Sequence, residues 1–365
     1  MSSSATSSSA TQSGSSSAMR SVQPWNLHTP RPLSEQVVVI IGASSGIGRR
    51  TAIEMGARGA SVVLAARNDE SLQAAAREVE AAGGKTKVVA VDATKFEDLE
   101  RLANEAIQWQ GRIDTWINDA AVSEYAKFEE MTLNEINRIV QVNLLGQIYG
   151  CKAILPRMRR QGYGTIMNVG SIVGMRAIPL QSIYCATKFG IRGFTDSLRM
   201  ELADEGAGIN VTLIMPPSTN TPFFNHARSK MGVKPMPVPP IYDVGIVARA
   251  IVFAAEHPRR DVLIGGASKL IEIMQRISPR LADWYLLQGR RGFKKQQTDE
   301  PDDGRDTLYR PEQGRGRSDG DFSDQAKSRS LYTPLDLCPG VKAAITTGAI
   351  VGISALAARL LSERR

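Results

Sequence analysis

Tyr184 and Lys188 lie four positions apart in the segment SIYCATKFG, residues 182–190. Four-residue spacing places two side chains on one face of a helix. A cation within about 4–6 Å of a phenol can lower its pKa by roughly 1–3 units, which makes the phenol a better base at neutral pH. Ser171 lies upstream and could donate a hydrogen bond to an oxygen that gains negative charge. Together these three side chains could exchange a proton with an alcohol or a carbonyl compound.

A Tyr…Lys pair at this spacing is more often a pair of surface neighbours, so its context decides. A glycine-rich turn, GASSGIG, follows the apolar run QVVVII and precedes a helical pattern. Glycines let the backbone turn tightly, and they let a pyrophosphate approach the amides at the helix N-terminus. An ordinary strand–helix turn is the alternative. The residues predicted to bind a dinucleotide here are Gly42, Ser44, Ser45, Gly46, Ile47 and Gly48.

The end of the second predicted strand bears on the choice of dinucleotide. An acidic residue there would bind the ribose 2′-hydroxyl of NAD, whereas a basic residue would pair with the 2′-phosphate of NADP. The sequence has Ala66 followed by Arg67, which favours NADP(H) over NAD(H). The alternative for Arg67 is a solvated surface arginine.

Seven apolar runs alternate with helical patterns between residues 36 and 266. This alternation predicts an α/β fold, with one doubly wound, seven-stranded parallel sheet of Rossmann type and right-handed crossovers. The predicted strands are 36–41, 61–66, 86–92, 114–119, 164–171, 209–217 and 261–266. The predicted helices are 49–59, 70–84, 95–111, 133–160, 181–206 and 244–257.

The motifs along this pattern resemble those of the short-chain dehydrogenase/reductase family, over roughly residues 35–266. They are GASSGIG at 42–48, VDA at 91–93, INDAA at 117–121, VN at 142–143, VGS at 169–171, YCATK at 184–188 and MPPSTNT at 215–221. The resemblance implies an NAD(P)-dependent enzyme that transfers a hydride between the cofactor and a carbonyl compound or secondary alcohol.

The same resemblance implies roles for individual residues. Asn143, Ser171, Tyr184 and Lys188 would form the catalytic set, with Tyr184 as the general acid/base. Asn143 would bend the following helix and hold a water near Lys188, which can also reach the nicotinamide ribose. Asp92 and Ala93 would contact the adenine. The segment from Asn118 to Ala121, with Asn118 and Ala120 as cofactor contacts, would line the cofactor channel after the fourth strand. The residues around the nicotinamide would be Tyr184, Lys188, Pro216 and Thr221.

Two departures from the family pattern affect the cofactor site. Asp119 and Ala121 stand in a motif that usually reads N-N-A-G, which adds a carboxylate near the sheet and removes a permissive glycine. Pro217 replaces the glycine of the usual P-G pair and should stiffen that loop. Neither change removes a catalytic group.

Composition argues against several other functions. The net charge of +8 is spread along the chain and forms no nucleic-acid footprint. The three histidines are scattered, so no metal site is expected. The three cysteines, Cys151, Cys185 and Cys338, show no CxxC spacing, which suits a reducing compartment and buried, inert thiols. We expect a cytoplasmic catalytic domain and a homo-oligomer.

The two ends of the chain differ from its middle. Residues 1–34 are Ser-rich and predict a disordered tail, with a transit peptide as the alternative. Residues 267–293 predict a helical extension, and residues 294–340 a flexible linker. Residues 341–361 predict a hydrophobic helix, either a membrane anchor or a helix docked on the protein.

The segment 218–240 should cover the substrate. It carries Phe223, Phe224, Met231 and Met236, which would suit a hydrophobic ketone, aldehyde or secondary alcohol. The alternative function is a non-catalytic dinucleotide sensor or scaffold. Such a protein would have no need of all four residues of the catalytic set.

Overall fold

The computed structural model describes residues 28–338. Within this range, no helix combines the length and the apolar character that crossing a bilayer requires. The hydrophobic helix predicted at 341–361 lies outside the described residues, as does most of the predicted N-terminal tail.

Seven parallel strands of the described chain form the central sheet, in the order β3-β2-β1-β4-β6-β7-β10. The predicted fold class is therefore confirmed. These strands are β1 (Val37–Ile41), β2 (Ser61–Ala66), β3 (Lys85–Ala90), β4 (Thr115–Asn118), β6 (Gly164–Val169), β7 (Ile209–Met215) and β10 (Asp261–Leu263). Four short strands form two further pairs: β5 (Glu124–Tyr125) with β8 (Arg228–Ser229), and β9 (Val233–Pro235) with β11 (Gln297–Pro301).

The central strands are continuous apolar runs because helices cover both faces of the sheet. All five residues of β1 and all seven of β7 are buried. Helices α1, α2 and α8 pack on one face, and α3, α5 and α6 pack on the other. The helices are α1 (Gly46–Gly56), α2 (Asp69–Ala81), α3 (Phe96–Gln110), α4 (Leu133–Val140), α5 (Gly146–Gln161), α6 (Ser182–Asp204), α7 (Pro222–Asn225), α8 (Val244–Glu256), α9 (Gly266–Ile277), α10 (Pro279–Leu287), α11 (Arg291–Lys294) and α12 (Tyr332–Leu337).

The long helix predicted over 133–160 is interrupted. A π-helical stretch, Gln141–Leu145, separates α4 from α5. Such stretches are rare and often occur at functional sites. Here it holds the side chain of Asn143 in the protein interior.

The glycine turn connects β1 to α1 at the carboxyl edge of the sheet. Gly42 has a φ of +102°, and a Cβ there would lie 2.8 Å from the backbone nitrogen of Ala120. Only glycine combines this conformation with so close an approach. The turn therefore packs directly against the segment that follows β4.

Both terminal segments lie closer to the domain than the sequence predicts. Residues 28–34 were expected to be tail, but Leu33 is buried and His28 stacks on Tyr163 at a centroid distance of 5.0 Å. Part of the predicted flexible linker forms β11, which pairs with β9. The chain then runs along the carboxyl edge of the sheet to α12, held mainly by hydrogen bonds, a kind of contact that hydrophobic periodicity does not reveal.

Candidate functional site

A cleft at the carboxyl edge of the sheet contains most of the predicted site residues. It lies where the glycine turn, the ends of β2, β3, β4, β6 and β7, and the first turns of α6 meet. The predicted residues on its wall are Gly42, Ser44, Ser45, Gly46, Ile47, Arg67, Asp92, Ala93, Ala120, Ser171, Tyr184, Lys188, Pro216 and Thr221. Three other predicted residues, Gly48, Asn118 and Asn143, do not line it.

Tyr184 and Lys188 lie in the first two turns of α6, which begins at Ser182. The Lys188 side chain is buried, and its Nζ donates a hydrogen bond to the Val169 carbonyl oxygen at 2.8 Å. This Nζ lies 5.5 Å from the centroid of the Tyr184 ring. The predicted pair therefore shares one face of the helix, beside the end of β6.

The pKa of Tyr184 departs from the expectation. The sequence predicts a lowered value, but burial, followed by the charges of Cys185 and Asp119, raises the pKa of Tyr184, while a hydrogen bond with Ser171 acts in the opposite direction. Burial also lowers the pKa of Lys188 to about 8, against the attraction of Asp119. In this geometry, desolvation is the largest influence on the pKa of both groups.

Asp119, one of the departures from the family pattern, lies on the cleft wall between α1 and α6 and is partly buried. Burial raises its pKa to about 7, while the charge of Lys188 and the backbone N–H of Gly48 lower it. A titratable carboxyl group therefore lies between the glycine turn and Lys188.

Both polar atoms of the Asn143 side-chain amide form hydrogen bonds. Its Oδ1 accepts a hydrogen bond from the Val122 nitrogen at 2.8 Å, and its Nδ2 donates to the Val122 carbonyl oxygen at 2.8 Å. It thus fixes the segment after β4 and lies off the cleft wall. Its predicted link to Lys188 through a water stays a prediction.

Gly48 and Asn118 contribute to packing. The Asn118 Nδ2 donates to Asn168 Oδ1 at 2.9 Å, and its Oδ1 accepts from the Trp116 indole at 3.0 Å, within the core. A Cβ on Gly48 would lie 2.9 Å from the Asp119 carboxylate. Both residues lie in the layer behind the cleft wall and support it by packing.

Asp92 is held at the end of β3. Its Oδ1 accepts hydrogen bonds from the Thr94 nitrogen at 3.0 Å and the Thr94 hydroxyl at 2.8 Å. Its Oδ2 lies 3.6 Å from Arg138. Burial acts to raise the pKa of Asp92, but the Thr94 hydrogen bonds and then the charges of Arg138 and Arg67 lower it overall.

The side chain of Arg67 lines the cleft. Its hydrogen-bond acceptors are backbone carbonyls that the sequence did not indicate. Its Nη1 donates to the Tyr309 carbonyl oxygen at 3.0 Å, and its Nη2 donates to the Thr307 carbonyl oxygen at 2.9 Å. Burial and the charge of Arg138 lower the pKa of Arg67. These carbonyls belong to residues 305–323, here called the strap.

Several residues of the cleft escaped the sequence analysis. Arg138, Asn68 and Ser71 follow no family motif, although Asn68 is recognisable as the N-cap of α2, since its side chain accepts from the Ser71 nitrogen. The strap gave no signal because it has no apolar period and contacts the domain mainly through its backbone. Asp119 and Ala121, which belong to the predicted segment 118–121, line the cleft. The wall residues not predicted as cofactor contacts include Asn68, Ser71, Arg138, Thr307, Pro311 and Glu312.

The substrate side of the cleft is aromatic. The Phe223 ring lies 5.6 Å from Tyr184 and 5.4 Å from Phe224, centroid to centroid. Phe223, Phe224 and Val238 line the cleft, whereas Met231 and Met236 do not.

The three cysteines are all free thiols. Cys151 and Cys185 are buried as expected, and burial raises the pKa of Cys151 to about 12. Cys338 is exposed, so the expectation of three buried thiols was wrong for this residue. Its position near the end of the described chain, beyond α12, leaves it outside the core.

Known proteins share both the sequence and the fold. A family model described as short chain dehydrogenase matches residues 36–232. The uncharacterized oxidoreductase YxnA of Bacillus subtilis is 38% identical over 328 residues, which cover 89% of this chain and 92% of its own. Coverage this high requires the alignment to include the strap. An oxidoreductase of Staphylococcus saprophyticus is 34% identical over 230 residues, 62% of this chain and 92% of its own.

Solved structures agree with this relationship. A metagenomic short-chain oxidoreductase in complex with NADP has a TM-score of 0.54 and 28% identity, covering 64% of this chain and 98% of that one. A short-chain dehydrogenase/reductase of Burkholderia phymatum in complex with NAD has a TM-score of 0.63 at 22% identity, covering 69% and 96%, and shows the fold alone. The chain therefore belongs to the short-chain dehydrogenase/reductase family and is an NAD(P)-dependent oxidoreductase.

Proposed function

We propose that this enzyme transfers a hydride between NADP(H) and a hydrophobic carbonyl compound or secondary alcohol, with Tyr184 as the general acid/base. The observation that carries the proposal is the meeting of Ser171, Tyr184 and Lys188 with the glycine turn on one cleft wall. A dinucleotide sensor or scaffold would need only the turn.

The cleft suits a dinucleotide. Ser44, Ser45, Gly46 and Ile47 line it at the N-terminus of α1, an eleven-residue helix whose dipole favours a pyrophosphate. The Gly46 N–H donates to the Arg317 carbonyl oxygen of the strap, so this amide would become available to a phosphate only when the strap moves. Asp92 and Ala93 line the end where an adenine would lie, and Pro216 and Thr221 line the end beside Tyr184. When bound, the nicotinamide would supply or accept the hydride.

The protein's own residues would move the proton. The raised pKa of Tyr184 keeps its phenol protonated at neutral pH, so it can donate its proton to a carbonyl oxygen as that oxygen gains negative charge. The Ser171 hydroxyl would donate a hydrogen bond to the same oxygen. Lys188 would bring a cation close to the phenolate that remains. These features favour carbonyl reduction as the direction at neutral pH.

Preference for NADP(H) rests on Arg67. Two of its five N–H groups donate to carbonyls of the strap, which leaves three for a 2′-phosphate. Neutral carbonyls do not cancel the charge of the guanidinium, and they hold it at the end of β2, where the phosphate would lie. The strap thus orients the group that would distinguish the two dinucleotides.

The aromatic wall favours a substrate with an apolar body. Phe223 and Phe224 pack against each other beside Tyr184 and would contact the part of the substrate next to the reacting carbon. Oligomerisation, a cytoplasmic location of the catalytic domain and a membrane anchor at 341–361 stay proposals drawn from the sequence.

The test is a panel of hydrophobic ketones, aldehydes and secondary alcohols, followed by the absorbance of the reduced nicotinamide. We expect turnover with at least one apolar ketone or aldehyde and NADPH. Tight cofactor binding with no turnover on any member of the panel would favour the sensor or scaffold instead.

A further inference from the structure

The strap crosses the cleft from the substrate side to the glycine turn and back. At its start, the Thr307 nitrogen donates to the His226 carbonyl oxygen at 3.0 Å, just beyond α7. Near its end, the Phe322 nitrogen donates to Asn220 Oδ1 at 3.0 Å. Both attachments lie on the segment after β7, so the stretch between them forms a closed loop over the carboxyl edge.

Backbone carbonyls of the strap bind the side chains at the end of β2 and the start of α2. Besides its two bonds from Arg67, the strap accepts a hydrogen bond from Ser71 Oγ at the Gly314 carbonyl oxygen, at 2.6 Å. Asn68 Nδ2 donates to the Glu312 carbonyl oxygen. Arg67, Asn68 and Ser71 are therefore all hydrogen-bonded to the strap.

Leu308 anchors this part of the strap. Its side chain is 1% exposed and packs with Val122, Ile139 and Val142. Its carbonyl oxygen accepts from Arg138 Nε at 2.9 Å. Since Arg67 and Arg138 hold three successive carbonyls, the attachment is specific even though the strap has almost no apolar pattern.

A second attachment joins the strap to the glycine turn. The Gly46 nitrogen donates to the Arg317 carbonyl oxygen at 3.0 Å. Gly316 lies so close to the turn that a Cβ would be 2.5 Å from the Ser44 carbonyl oxygen. Gly320 fits as tightly at the other side, where a Cβ would be 2.6 Å from the Thr221 carbonyl oxygen.

The strap also forms part of the cleft wall. Thr307, Pro311 and Glu312 line the same cleft as Arg67 and the glycine turn. The Glu312 carboxylate lies 2.9 Å from His226 Nε2, which connects this wall to the substrate side. The strap is thus a wall of the cofactor cleft as well as a packed extension.

We propose that residues 305–323 are part of the cofactor site: the strap closes over the adenosine half of the bound dinucleotide and must detach before the dinucleotide leaves. This inference rests on the proposed function, since it needs a dinucleotide in the cleft. The ends of the strap are fixed on the substrate side, so detachment concerns the contacts at Arg67, Asn68, Ser71 and the glycine turn.

The test uses the full chain with single substitutions that push the strap away. Gly316→Ala and Gly320→Ala add a methyl group against the Ser44 and Thr221 carbonyl oxygens, respectively. Gly304→Ala is the matched control for Gly316→Ala: it lies just outside the strap, its φ of +70° imposes strain like that at Gly316, whose φ is +62°, and its Cβ would meet nothing within 4 Å. Thermal unfolding of each variant checks that the domain still folds.

The measurement is the dissociation rate of NADPH, followed by its fluorescence in stopped flow after mixing with excess 2′-phospho-ADP-ribose. We expect release to be about tenfold faster in Gly316→Ala and Gly320→Ala and nearly unchanged in Gly304→Ala. Unchanged release in both test variants would overturn the inference. Slower release or tighter binding would also overturn it, since the strap would then be an obstacle to the cofactor.

Failure of the strap and failure of the proposed function give different results. If the protein turns over carbonyl substrates with NADPH while release is insensitive to both substitutions, only the role of the strap is refuted. If it binds NADPH with a strap-dependent release rate but turns over nothing, the strap stands as a cofactor clamp and the proposed catalysis is refuted.

Discussion

The proposed catalytic group, Ser171, Tyr184 and Lys188, and the strap reach the same cleft by opposite means. Ser171 follows β6, while Tyr184 and Lys188 lie on α6, and the buried apolar residues of these two elements hold the three side chains at the cleft wall. The strap is polar and is held by backbone carbonyls that accept from side chains far away in sequence, such as Arg67. Positions that depend on core packing are fixed rigidly, whereas a segment held by hydrogen bonds can open at lower cost. In the two proposals made above, chemistry and cofactor exchange depend on these different kinds of structure.

The largest effect should come from the catalytic group. Tyr184→Phe removes the proton donor without changing the ring that packs on Phe223. We expect kcat to fall by about 10²–10⁴-fold, the range of general acid/base catalysis, with the dissociation rate of NADPH unchanged. Steady-state and stopped-flow measurements on the same variant check both parts. A variant that kept its turnover would refute the role of Tyr184.

Arg67 lines the cofactor cleft and also binds the strap. Its replacement distinguishes its contribution to the 2′-phosphate from its contribution to the strap contacts. Arg67→Ala should weaken NADPH binding about 10–100-fold more than NADH binding, because the lost bonds to a phosphate are charge-assisted. The smaller loss for NADH reports the contribution of the strap contacts. Dissociation constants for both dinucleotides, obtained by fluorescence titration, test this. Equal losses would refute the assignment of Arg67 to the 2′-phosphate.

Asp119 should impose a pH dependence on stability. The folded protein holds the Asp119 proton up to about pH 7, whereas an unfolded chain releases it near 3.8. The contribution of this group is therefore present below pH 4 and is lost as the pH rises to 7. Asp119→Asn should raise the free energy of unfolding by about 1–3 kcal/mol at pH 8, and by less at pH 4.

Urea unfolding at several pH values checks this expectation. The control is Asp299→Asn, which removes an exposed carboxylate on β11. Its effect should be small at every pH. The titration assigned to Asp119 would be contradicted if the difference in free energy of unfolding between Asp119→Asn and the natural protein did not grow as the pH rises.

The smallest effect should come from the contact between Glu312 of the strap and His226. Glu312→Gln removes the charge that faces His226, but both side chains are partly exposed, at 29% and 20%. Pairs of this kind contribute about 0–1 kcal/mol, so NADPH release should speed up no more than about fivefold. If Glu312→Gln speeds NADPH release more than Gly316→Ala does, the main attachment of the strap is the contact with His226 and not the contact with the glycine turn.

Much of the fold was predictable because its signals are local. β-branched runs such as 36–41 and 209–217, separated by helical periods, predict a parallel sheet covered on both faces, and glycines mark the turn after β1. The proximity of Tyr184 and Lys188 was equally visible, since the two residues are four apart on one helix. In each case a residue's neighbours in sequence determine what it does.

What the sequence could not reveal depends on contacts between distant segments. The pKa of Tyr184 is raised mainly because residues from several segments pack around the phenol and desolvate it, and Asn143 binds Val122 because the π-helical stretch brings it there. The polar residues after 294 predict a linker, since they lack an apolar period. Only in the tertiary structure do Arg67 and Arg138 come close enough to hold three carbonyls of that segment, and no hydrophobic pattern encodes such a bond.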